Sequence, residues 1–177
     1  MQAEALYRLG LVHLERGDLA VAEDHGFRVL DVAQAVGDVL RQAFGHLLLA
    51  RLAMRRGAPQ AAIPVLQQLE QQGRTLDATA YVVLVRRYLA EAHLLAGEAE
   101  TASVLAREGS ELAGRCGLKR EQGGLLRVLG EALLASGQVT EGERQLQAAA
   151  ALAERIGCRY DLAETRCRLV STLSSPS

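Results

Sequence analysis

Apolar residues recur along this chain at helical spacing, and glycines interrupt the pattern at fixed intervals. Leu6, Leu9, His13 and Leu14 follow i, i+3, i+7, i+8, one face of a helix that includes a histidine. Leu19, Ala22, Phe27, Val29, Leu30 and Ala33 form a second, longer amphipathic run that stops at Gly37. Between the runs stands Gly17-Asp18. Glycine tolerates the left-handed backbone that ends a helix, and an aspartate carboxylate can accept a free N–H at the start of the next.

The punctuation repeats. Gly17, Gly57, Gly97 and Gly137 are spaced forty residues apart. Seven residues before each lies a small residue, Gly10, Ala50, Ala90 or Gly130, always preceded by leucine: Leu9, Leu49, Leu89 and Leu129. Five residues after each lies another, Ala22, Ala62, Ala102 or Gly142. Short side chains let the helices of an antiparallel pair approach closely, which predicts Gly10 against Ala22 and Gly130 against Gly142. A second series, Gly37, Gly117 and Gly157, falls midway, with Asp77 in the fourth place and Gly73 just ahead of it. A period of this size marks stacked supersecondary units.

The pattern predicts helices near 3–16, 18–36, 39–56, 59–72, 76–96, 98–115, 120–136, 138–156 and 159–173. They group into repeats near 3–37, 39–73, 76–117 and 120–157, within one array over 1–173. The helix at 159–173 has no partner and is expected to cap the last pair, ahead of a disordered tail at 174–177. Pro59 suits a first helical turn, whereas Pro64 should kink its helix or delay its start, and Gly73 should shorten it. Periodicity that begins at once and a polar SSPS ending suggest a segment of something longer.

Segments such as RLGLVHLERGDLAVAED and VLGEALLASGQVTEGER carry a leucine, a small residue, a glycine turn and a further small residue in a set order. This resembles the tetratricopeptide repeat (TPR). Forty-residue units with long second helices, as in ALAERIGCRYDLAE, resemble the subgroup found in MalT-like bacterial transcription regulators and related signalling proteins. The chain departs from the usual pattern where Leu6, His46, Arg86 and Leu126 replace the early aromatic, and where His13, Ala53, His93 and Leu133 replace a tyrosine. The resemblance implies an all-α, right-handed solenoid of antiparallel helix pairs.

Composition narrows the function. Lys+Arg 20 against Asp+Glu 21 leaves a net charge of -1, and aromatics are 3% without tryptophan. Neither an electrostatic footprint nor stacking platforms for nucleic acid follow from that. The longest apolar stretches, such as YVVLV, are far short of a membrane span. With no basic, apolar leader at the start, a cytoplasmic location is expected. Cys116, Cys158 and Cys167 lack zinc spacing and read as small buried hydrophobes. No HExxH, phosphate loop or GxSxG is present, so no enzyme, cofactor or metal is expected. His13 and His93 occupy equivalent positions and read as packed side chains.

In proteins this chain resembles, first helices line a concave groove that takes a peptide or a helix, through positions three before and one after the small residue. Carried over, those are Tyr7 and Leu11, Leu47 and Arg51, Arg87 and Glu91, and Arg127 and Glu131. Such a groove, flanked by Tyr7 and Tyr88, suits a mixed-charge peptide or a carboxylate held by arginine forks. Arg87 with Glu91, and Arg127 with Glu131, are also i, i+4 pairs that could neutralise one another on a solvated face. Three roles stay open: binding a partner protein in the groove, serving as a spacer or homodimer array through an apolar patch at Tyr81 to Val85, and sensing a small effector.

Overall fold

The computed structural model describes residues 2–173. Among them the chain forms helices α1 (Gln2–Arg16), α2 (Leu19–Ala35), α3 (Val39–Arg55), α4 (Pro59–Thr75), α5 (Thr79–Leu95), α6 (Ala99–Arg115), α7 (Lys119–Ala135), α8 (Val139–Arg155) and α9 (Arg159–Leu173), with no strand between them. The expected tail at 174–177 lies outside the described residues.

One bond pattern closes all eight turns. The N–H just past the turn residue reaches back to a carbonyl five residues earlier, as from Asp18 to His13 (2.9 Å), Glu98 to His93 (2.9 Å) and Gln138 to Leu133 (2.8 Å). That bond requires a left-handed residue between, and glycine supplies it at seven of the eight. Asp77 fills the eighth place at φ 51. The second repeat therefore keeps its register, which corrects the expected irregularity. Gly73 lies inside α4 rather than ending it, and α4 starts at Pro59 and runs through Pro64. Gly73 is there for packing, because a methyl on it would stand 2.9 Å from Val82 Cγ2 and 3.0 Å from Tyr81 Cδ1.

The capping expectation also needs correcting. Asp18 makes no side-chain cap bond, since its carboxylate accepts from His13 Nδ1 at 3.1 Å. Asp38 does cap, its carboxylate accepting from the Arg41 N–H at 2.9 Å, and this bond with the Arg41 guanidinium holds it below the usual carboxylate range. The cysteines are not buried hydrophobes either: Cys116 and Cys167 are exposed and Cys158 half-buried, all as free thiols.

The chain divides into two compact units, Met1–Gln72 and Gly73–Ser177. In the first, α1, α2 and α3 pack on one another around Leu14, Ala22, Leu48 and Leu52, with Ala3, Leu6 and Val29 forming a second cluster. In the second, α5 to α9 pack in succession around Val83, Ala90, Ala106, Ala113, Leu125, Val128, Leu129 and Leu133. First helices also touch one another, α1 with α3, α5 with α7, and α7 with α9.

Small residues set the closeness of this packing. A methyl on Gly130 would stand 2.9 Å from the carbonyl oxygen of Gly142, and one on Gly142 equally close to that of Gly130, so these backbones meet as expected. Gly10 differs. Its near neighbours are Leu48 on α3 and His25 on α2 rather than Ala22. The last described helix, α9, lies on α8 and α7, with Thr165 buried and Val170 exposed.

Candidate interaction surface

The residues expected to line a groove fall four in each unit. In the first unit Tyr7 and Leu11 lie on α1, one turn apart and half-buried. Tyr7 meets Phe44 of α3 with ring centroids 5.0 Å apart at a tilt of 48°. The tilted aromatics leave an open cleft of about 240 Å³, lined by Ala3, Glu4, Tyr7, Arg8, Leu11, Val29, Arg41 and Phe44. Arg8 is largely exposed and bonds Glu4 one turn earlier, 2.8 Å from Nη2 to Oε1. Arg51 reaches from α3 to Glu15 of α1, 2.7 Å from Nη2 to Oε1. Leu47 is fully buried, so it supports this surface from beneath instead of lining it.

In the second unit the polar residues form a network across α5, α7 and α9. Arg87 of α5 pairs with Glu121 of α7 at 3.0 Å, rather than with Glu91 on its own helix, and its Nη2 donates to the Tyr88 hydroxyl at 2.5 Å. Gly124 makes room for it, because a methyl there would stand 2.8 Å from Arg87 Nη1. Burial works against the Arg87 charge, but Tyr88, Glu121 and Glu91 outweigh it and hold the guanidinium above its usual range.

Arg127 of α7 donates to Glu131 at 2.6 Å, the i, i+4 pair that the spacing offers, and faces Glu164 of α9 at 3.7 Å. Glu131 also lies 3.5 Å from Arg168 of α9. Glu164 is pushed above the usual carboxylate range by burial and by the charges of Glu91 and Glu131, with Arg127 opposing. Spacing within one helix could not reveal Glu121 and Glu164, since both act across neighbouring first helices.

The two histidines share one structural job. His93 Nδ1 meets Glu98 at 2.6 Å, just as His13 Nδ1 meets Asp18, so in each case the ring bonds the carboxylate beyond its own turn. An acid five residues after each histidine was the readable signal; the equivalent pairs Ala53 with Ala58 and Leu133 with Gln138 lack both partners. His13 also stacks on His25, with centroids 5.5 Å apart, and burial lowers the His25 pKa.

The proposed dimer patch is not a surface. Tyr81, Val82, Val83 and Val85 are all buried. Among the described residues no group of three or more His, Cys, Asp or Glu could hold a metal ion, and no helix is long and apolar enough to cross a membrane.

No family model and no curated protein matches the chain. Solved structures do. Two crystal structures of a Podosopora anserina protein, described as a kinesin light chain with nearly identical TPR-like repeats, superpose with a TM-score of 0.67 each. They are 20% and 19% identical, over 93% of this chain and 84% and 85% of theirs. The fold is thus that of a TPR-like all-α helical repeat.

Proposed function

We propose that this chain is a non-catalytic interaction module that holds a segment of a partner protein against its first helices. Repeat arrays of this kind present extended surfaces for such contacts. The observation that carries the reading is the cleft between α1 and α3, where Tyr7, Leu11 and Phe44 expose aromatic and aliphatic surface beside Arg8 and Arg41. An apolar side chain of the partner fills the cleft, and the guanidinium groups of Arg8 and Arg41 supply polar contacts at its rim. The forty-residue repeat, with its likeness to MalT-like regulators, supports placing the module in a bacterial regulatory or signalling protein of the cytoplasm.

The charge balance disfavours a clamp for ligand carboxylates. Arg87 and Arg127 are already ion-paired with carboxylates of the chain itself, and Glu91, Glu121, Glu131 and Glu164 outnumber Arg87, Arg127 and Arg168. Their work is to hold first helices together, so recognition rests on the cleft.

The test is affinity capture with the native chain and a Tyr7→Ser/Phe44→Ser variant, with Leu146→Ala, a core change in the other compact unit, as a folding control. A protein partner retained by the control and weakened at least about tenfold in the cleft variant supports the reading. Equal capture by all three overturns it. A small-effector sensor would capture no protein and would instead gain thermal stability from its effector by mass action.

A further inference from the structure

The way α3 grips α2 shows what belongs on the outer face of α1. Leu49 of α3 seats against Gly26 of α2, where a methyl would stand 2.6 Å from Leu49 Cδ2. Gly45 of α3 lets Leu30 come close, and Leu52 is buried against the cluster of Leu14, Ala22 and Leu48. Arg56, just past α3, then makes a bidentate contact to Glu23, at 2.6 and 2.8 Å. In the second unit the equivalents of Leu49 and Gly26 are Leu129 of α7 and Ala106 of α6, both buried in one cluster.

Moved back one repeat, the same four positions are Ala5, Leu9, Val12 and Arg16 of α1. Their spacing keeps them on one side of the helix. All four are exposed: Leu9 by 49%, Val12 by 51%, and the Arg16 side chain by 70%, its nearest carboxylate being Asp18 at 4.0 Å. Of the corresponding residues of later repeats, Leu49 is half-buried and Leu52, Leu89, Ala92, Leu129 and Ala132 are buried. This face is also separate from the Tyr7–Phe44 cleft.

We propose that this α1 face docks the second helix of another helical-repeat pair, one carrying a carboxylate three residues before a glycine. The glycine admits Leu9 as Gly26 admits Leu49. The carboxylate takes Arg16 as Glu23 takes Arg56, and the residue opposite Ala5 is small, since Ala5 carries the methyl that Gly45 lacks. Self-pairing of the α1 faces fits less well, because it sets Leu9 against Leu9 and offers neither a glycine notch nor a carboxylate in register.

The experiment places a second copy of residues 1–40 directly ahead of the complete chain, with Leu30→Ala in the added copy to accommodate Ala5. Thermal unfolding is then compared for this protein, the chain alone, and both with Leu9→Glu/Val12→Lys in the original α1. Docking predicts one transition, with Tm raised by about 5 °C or more. The double variant should cancel that rise while moving the Tm of the chain alone by less than about 1 °C. Arg16→Glu should reduce the rise, and Glu23→Lys in the added copy should restore it. An added repeat that melts separately, or a rise indifferent to Leu9 and Val12, overturns the proposal. Sedimentation of the chain alone adds one more outcome: self-association abolished by Leu9→Glu/Val12→Lys would make a second copy the occupant and likewise overturn it.

Discussion

Two glycines of α7 should respond in opposite ways to the same substitution. A methyl at Gly123 meets nothing closer than Leu152 Cδ2 at 3.8 Å, an ordinary contact. Gly123→Ala therefore only removes the penalty for glycine inside a helix and should stabilise by about 1 kcal/mol. A methyl at Gly130 stands 2.7 Å from Leu146 Cγ and 2.9 Å from the Gly142 carbonyl oxygen. The leucine can turn away, but the backbone oxygen cannot. To restore an ordinary contact, α7 and α8 must part by roughly half an ångström, and overpacking of this kind costs about 1–3 kcal/mol. A backbone obstacle places the cost at the upper end of that range. After subtracting about 1 kcal/mol of helix propensity, Gly130→Ala should destabilise by about 1–2 kcal/mol. Urea unfolding followed by circular dichroism reads both: the midpoint should rise for Gly123→Ala and fall for Gly130→Ala with similar slopes. If Gly130→Ala raised the midpoint as much as Gly123→Ala, the close meeting of α7 and α8 at Gly142 would be refuted.

Other substitutions test the turns and the buried charges. Asp77→Gly should raise the urea midpoint, by about 0.5–1 kcal/mol, since Asp77 holds a left-handed conformation at φ 51 that glycine adopts without strain. Arg127→Ala takes the nearest cation from Glu164 and leaves Glu131 with Arg168 alone, and should cost roughly 3 kcal/mol at neutral pH, with part of the loss recovered as acid protonates Glu164. Glu164 has a folded pKa above its unfolded value, so its charge weakens the fold at high pH and that penalty fades as pH falls through the folded pKa. Glu164→Gln should thus be more stable than the native chain at pH 7, with the difference closing on acidification. Glu141 is the opposite case: bonds from Arg144 and Gln145 hold its pKa down to about 2, so its contribution should be lost as pH drops from about 4.5 toward 2, and Glu141→Gln should flatten that part of the stability curve.

Helix order and turn positions were legible because each turn needs a left-handed residue, and glycine marks that need in the sequence. Asp77 shows the limit. Its neighbour Gly73 looked like the missing turn residue, yet Gly73 answers to packing against Tyr81 and Val82 while Asp77 takes the strained conformation. The groove positions were read from a likeness, and their partners were harder to see. Arg127 with Glu131 is visible as one helix turn, but Arg87 with Glu121 and Arg127 with Glu164 join successive first helices, about one repeat apart in sequence. Glu15 and Arg51, 36 residues apart, follow the same rule, as do Tyr7 and Phe44. Searching for complementary residues slightly less than one repeat apart would have found these contacts. Burial of Leu47 could not be found that way, because the same position is half-buried as Tyr7 and as Arg87 and buried as Arg127.

The most direct test of a partner held on the first helices is quantitative capture of protein partners by the native chain beside Tyr7→Ser/Phe44→Ser, with both checked for unchanged helicity. The account predicts a bound protein whose retention falls at least about tenfold in the variant. Retention unchanged by loss of both rings would contradict it.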